Sequence, residues 1–152
     1  MEYSCEMKEQ APQPTLTIRT RTAVQDLPQV MGESYGAITQ YLAVLGEQPA
    51  GPPFTAYYNM DMQDLDVEIG FAVAKKLAGS EDIQAGEMLM GKMASCVFTG
   101  PYIEMAPAYE ALAAWVEKNG YEPTGIAYEF YLNDPGEVPP EELMTQIVFP
   151  LK

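Results

Sequence analysis

One carboxylate sits where an unpaired charge is expensive. Glu129 lies inside the aromatic run Tyr128-Glu129-Phe130-Tyr131. In an apolar setting the charged form is disfavoured unless a cation or a hydrogen-bond donor is near. The chain has only eight Lys and Arg residues against twenty-two Asp and Glu, so few internal cations exist to pair it. A bound cation, helped by aromatic faces, would then supply the missing charge. The plainer alternative is a strand glutamate facing solvent. Glu68, in Asp66-Val67-Glu68-Ile69-Gly70-Phe71, is a second candidate. Two acids lining one cleft make an acid/base pair conceivable, whereas a surface charge is its plainer reading.

Other side chains suit apolar recognition. The chain has ten tyrosines and ten methionines. Tyrosine offers flat apolar area with a polar tip, which fits ligand walls as well as core packing. Tyr35, Tyr57, Tyr58, Tyr102, Tyr109 and Tyr131 lie in or beside the expected cleft, and Tyr35, Tyr58, Tyr102 and Tyr131 are the ligand candidates, with Trp115 as a stacking platform or a helix–sheet packing residue. Met88, Met90 and Met93 give adaptable surface.

Much chemistry is excluded. Histidine is absent, which removes the usual neutral-pH base, any Ser-His-Asp triad and the commonest zinc ligand. No phosphate-binding loop, dinucleotide fingerprint or metal-ligand spacing occurs, so no cofactor and no metal are expected. The net charge of -14 repels phosphate, and direct nucleic-acid binding is not expected. Cys5 and Cys96 lack CxxC spacing and read as free thiols of a reducing cytosol, with a bridge left open. No apolar run is long enough to cross a membrane, and Met1-Glu2-Tyr3-Ser4 has no signal-peptide pattern. A cytoplasmic location follows as an expectation.

The elements that position these residues fall into two similar series. Residues 15–73 read strand, helix, strand, strand, and residues 86–151 repeat that order. The first series has an alternating strand at 15–22, then a helix from Asp26, a candidate cap, to Gly46. Its stripe is Val30, Met31, Tyr35, Ile38, Tyr41, Leu42 and Leu45. Strands at 54–60 and 65–73 follow, the latter with Val67, Ile69 and Phe71 on one face. A small, polar connector spans 74–85. The second series opens with one long strand over 86–99, bent at Gly91. Its helix runs from about Ile103 to Asn119, with Met105, Tyr109, Leu112, Ala113 and Val116 inward. Strands at 126–133 and 142–149 close it. Residues 1–14 form a lead-in arm or an edge strand. The expectation is one α+β domain over 1–152. In it, two strand-helix-strand-strand repeats, related by a pseudo-twofold, form antiparallel sheets around a central ligand cleft.

Three segments resemble a known family. Thr99-Gly100-Pro101-Tyr102, followed by Tyr109, Leu112, Trp115 and Gly120-Tyr121, is similar to the G-P-Y…L…W…G-Y pattern of GyrI-like small-molecule-binding domains. Those are also the effector-binding domains of AraC-type and MerR-type multidrug regulators. Tyr128 to Pro135 resembles the family's E-x-Y-x-x-D-P strand, and Val67 to Val73 its E-x-G-F-P-V strand, with Ala72 in place of the usual proline. The resemblance implies a buried glutamate and a ring of aromatics that bind lipophilic cations, and Glu129 matches that glutamate. It also implies a second activity, known in a subset of the family, in which a cleft glutamate and an aromatic partner hydrolyse cyclopropane-bearing alkylators. No helix-turn-helix precedes the resembling region, so a stand-alone sensor or sequestering protein is expected. Homodimerisation, a separate regulator and a topoisomerase docked on the acidic surface remain open as partners.

Overall fold

The computed structural model describes residues 4–88, 91–134 and 136–152. Expectations that fall on Met1, Glu2, Tyr3, Met90 and Pro135 lie outside the described residues. The chain divides into two compact units. One unit takes the described residues of 12–89. The other takes those of 1–11 and 90–152.

In the unit of residues 12–89, strand β2 (Gln13–Thr22) leads through a short 3-10 turn, Val24–Asp26, into helix α1 (Leu27–Leu45). Strands β3 (Phe54–Tyr57), β4 (Leu65–Ala72) and β5 (Gln84–Met88) follow. All pairings are antiparallel, in the order β3-β4-β2-β5. Leu65, Val67, Ile69 and Phe71 alternate along β4 and face α1, whose buried residues are Leu27, Ser34, Ile38 and Leu42. That alternation is the period of a strand with one helix-covered face. Gly70 has no room for a side chain, because a Cβ there would lie 2.1 Å from the Leu16 carbonyl oxygen.

Among the described residues the other unit holds four antiparallel strands and the second helix. Strand β1 (Glu6–Gln10) pairs with β6 (Gly91–Thr99), which pairs with β8 (Met144–Pro150), which pairs with β7 (Ala127–Tyr131). Helix α2 (Ala106–Lys118) covers one face of this sheet. Ala108, Leu112 and Val116 pack there with Ala94, Cys96, Phe98 and Ile147. Burying these side chains contributes roughly 1.5–3 kcal/mol for each large one.

Several expectations change. The long strand over 86–99 is two strands in different units, β5 against β2 and β6 against β8. Gly91 at φ +108° marks the start of β6, a backbone conformation that side chains resist. The lead-in arm is a true edge strand, β1. Asp26 makes no side-chain cap; its backbone is already helical, and the 3-10 turn before it supplies the entry. Helix α2 begins at Ala106, because Tyr102–Glu104 forms a separate 3-10 turn. Ala113 and Leu45 are exposed rather than inward, since the inner stripes are narrower than the sequence pattern. Helix ends at Gly46 and Gly120 agree with the sequence. Among the described residues no helix is long and apolar enough to cross a membrane.

Candidate functional site

The register of β7 fixes where Glu129 points. Glu129 stands opposite Ile147, and Tyr131 stands opposite Thr145. Directly opposed residues share a face. Ile147 is fully buried in the cluster under α2, so Glu129 and Tyr131 project on the helix-bearing face. Tyr128 and Phe130 take the other face, their rings stacked 6.1 Å apart. Glu129 is half-buried, not solvent-facing.

Two tyrosine hydroxyls hold the carboxylate. Tyr109, from the inner side of α2, donates to Glu129 Oε2. Tyr131 donates to Oε1 at 2.9 Å. An ionised carboxylate can only accept hydrogen bonds, so two aimed donors match the charged form. Aromatic rings continue the wall. Tyr102 meets Tyr131 edge-on at 5.7 Å between ring centres, and Tyr109 tilts against Phe149 at 5.8 Å. Burial raises the Tyr102 hydroxyl pKa above its ordinary value, helped by the negative charges of Asp134 and Glu129. Tyr102 therefore stays a neutral donor at neutral pH. Next to this cluster Thr145 is fully buried, and its hydroxyl has no hydrogen-bond partner among the described residues.

Glu68 builds a separate cluster in the other unit. Thr17 donates to Glu68 Oε2 at 2.6 Å and Tyr58 to Oε1 at 2.5 Å. Arg19 stacks on the Tyr58 ring, 3.9 Å from its centre, and grips Asp66 with two hydrogen bonds of 3.0 and 2.9 Å. The Arg19 guanidinium holds the Asp66 carboxyl below the usual carboxylate range. Glu68 is paired with Arg19 across the β2–β4 ladder, on the face opposite the α1-facing residues. A half-exposed arginine thus stands across the ladder from this acid.

The seven candidate residues therefore divide. Glu129, Tyr131 and Tyr102 come together, with Tyr58 and Glu68 in the second cluster. Tyr35 belongs to neither: its hydroxyl donates to the Phe54 carbonyl at 2.8 Å and lies 3.1 Å from Thr55 Oγ1, tying α1 to β3. Trp115 is half-buried against the core cluster under α2, and none of its described contacts reaches Glu129. Tyr109, which the sequence places both on the inner stripe of the second helix and among the tyrosines beside the expected cleft, was not among the seven candidates. Its position on the inner face of α2, one turn before Leu112, was the available signal. Among the described residues no three His, Cys, Asp or Glu side chains group to hold a metal ion.

Comparison with known proteins gives the chain relatives. No curated protein matches it. It is similar in structure to the C-terminal domain of EcmrR, with a TM-score of 0.82 at 20% identity over 100% of this chain and 99% of that one. For EcmrR in the EcmrR–DNA complex in EcmrR-RPo, the TM-score is 0.85 at 24% identity; the likeness covers 99% of this chain and 57% of that one. A hydrolase encoded by lin2189 from Listeria innocua matches with a TM-score of 0.70, at 15% identity over 97% of this chain and 91% of that one. SAV2435, solved bound to tetraphenylphosphonium, matches with a TM-score of 0.59 at 13% identity, over 100% of this chain and 94% of that one. Identities this low speak for the α+β fold alone. The family itself is shown by sequence: residues 3–152 match the GyrI-like small molecule binding domain, and the chain belongs to that family.

Proposed function

We propose that this protein binds a lipophilic cationic or polyaromatic small molecule against Glu129, as a sensor or a sequestering protein. The observation that carries the reading is the carboxylate held by Tyr109 and Tyr131 within aromatic walls. A delocalised cation gains from such a site twice, through the carboxylate and through the ring faces. The charge of -14 adds a long-range field that draws cations in. SAV2435 with its tetraphenylphosphonium supports the ligand class. The EcmrR–DNA complex supports a role in which ligand binding informs a regulator. A cytoplasmic location fits this role. The test is a fluorescence titration with tetraphenylphosphonium and rhodamine-type cations. Saturable binding weakened by Glu129→Gln supports the reading. Absence of saturable binding, or equal binding by the variant, overturns it.

A second reading rests on the same hydrogen bonds. A carboxylate in contact with two hydroxyls is suited to move a proton, and the hydrolase from Listeria innocua shares the fold. Glu129 would take a proton from a water that adds to a strained electrophile, while a tyrosine hydroxyl donates to the leaving carbon. Incubation with a cyclopropane-bearing alkylator, read by mass spectrometry, tests it. A hydrated product lost in Glu129→Gln would favour hydrolysis; unchanged alkylator would remove it.

A further inference from the structure

The two cysteines are far apart in sequence but meet in the sheet. The β1–β6 ladder pairs Glu6 with Ser95 and Met7 with Ala94. One residue further, the same register sets Cys5 directly opposite Cys96. Both side chains join one apolar cluster: Cys96 is buried in it and Cys5, half-buried, packs against it. Directly opposed residues of an antiparallel pair have Cα atoms about 4.5–5.5 Å apart. A disulfide spans about 4.4–6.8 Å between Cα atoms.

We propose that Cys5 and Cys96 form a reversible intramolecular disulfide that fastens edge strand β1 to β6 when the protein meets a small-molecule disulfide oxidant. Cys5 is the entry point, because it is the more exposed thiol. As a thiolate it attacks one sulfur of the oxidant, forming a mixed disulfide and expelling one small thiolate. Cys96 then gives up its proton and attacks the Cys5 sulfur, expelling the second small thiolate. Two protein thiols are oxidised, one small disulfide is reduced to two thiols, and the two protons released by the cysteines pass to the departing thiolates. Burial pushes the Cys96 thiol up to about 12 and raises Cys5 as well, so exchange is slow at neutral pH and faster in alkali. This separates a buried, slow switch from a reactive surface thiol.

The consequence follows from topology. β1 ends the sheet and pairs only with β6 among the described strands. A bond from Cys5 to Cys96 closes a loop of about 90 residues, and long loops lose the most freedom in the unfolded chain. The experiment equilibrates the native protein across glutathione redox ratios, quenches by alkylation, and reads intact mass, non-reducing peptide maps and melting temperature. The expected result is loss of both alkylatable thiols, a Cys5–Cys96 cross-linked peptide, and a melting temperature raised by about 5–15 °C, reversed by reductant. Cys5→Ser, at the half-buried position, should keep the fold and show no such rise. A single glutathione adduct on Cys5, a disulfide-linked dimer, or two unreacted thiols at the most oxidising ratio would overturn the proposal.

Discussion

Replacing Glu129 by Gln removes one charge with little change of shape. A monovalent cation seated about 5 Å from the carboxylate, at an effective dielectric constant of about 20, interacts by roughly 3 kcal/mol. Glu129 is half-buried, so salt and solvent reduce that to about 1.5–2.5 kcal/mol. Affinity for tetraphenylphosphonium should therefore fall by about 10–70-fold. A neutral polyaromatic compound of similar size should lose much less. The substitution also places an amide N–H group where one carboxylate oxygen accepted, so one of Tyr109 and Tyr131 must accept instead of donate and trades a charge-assisted hydrogen bond for a neutral one. That should lower stability by about 1–3 kcal/mol, and melting temperature by a few degrees. Isothermal calorimetry on both proteins, below their melting transitions and at two salt concentrations, measures the affinities, and thermal unfolding of both measures the stability change. Equal losses for the cation and the neutral compound would refute the electrostatic reasoning. An unchanged cation affinity would refute the placement of the ligand.

Other expected outcomes concern the framework. Gly70→Ala forces a Cβ onto the β2 backbone and should destabilise by about 2–4 kcal/mol; an unchanged urea midpoint would contradict the close approach. Thr145→Val removes a buried hydroxyl that has no described partner and should raise the melting temperature by about 2–4 °C. A fall instead would mean that a bound water or ligand satisfies that hydroxyl. Asp66 has a folded pKa depressed by Arg19, so its stabilising effect is present above the unfolded value near pH 4 and disappears as pH falls through the folded value. Arg19 is half exposed, which limits the effect at pH 7 to less than about 1 kcal/mol. The difference in melting temperature between the protein and Arg19→Met should shrink between pH 5 and about pH 2; a constant difference would mean that packing on Tyr58, not charge, supplies it.

The periodic elements were legible because local pattern dictates them. Alternation in Leu65–Ala72 and the glycines after each helix reappear almost residue for residue. What stayed hidden was pairing. Nothing in the letters Gly86 to Thr99 says that the segment before Gly91 pairs with β2 while the segment after it pairs with β8, because strand partners are chosen by tertiary packing. The Glu129 face was ambiguous for the same reason. An alternating strand defines two faces, and only the partner Ile147 says which one the helix covers. Tyr109 was legible as an inner-stripe tyrosine near the cleft, but its hydroxyl partner was not, because that partner lies on a strand twenty residues away. Arg19 and Glu68 are 49 residues apart in sequence and meet only through register. The adjacency of Cys5 and Cys96 likewise follows only from register.

The most direct test is where a cation sits. NMR of the protein with labelled tyrosine rings and added tetraphenylphosphonium would read intermolecular contacts ring by ring. The account predicts contacts from the phenyl protons to Tyr102, Tyr109 and Tyr131. Contacts confined to Tyr58 and the Glu68 cluster, or none on any tyrosine, would contradict it.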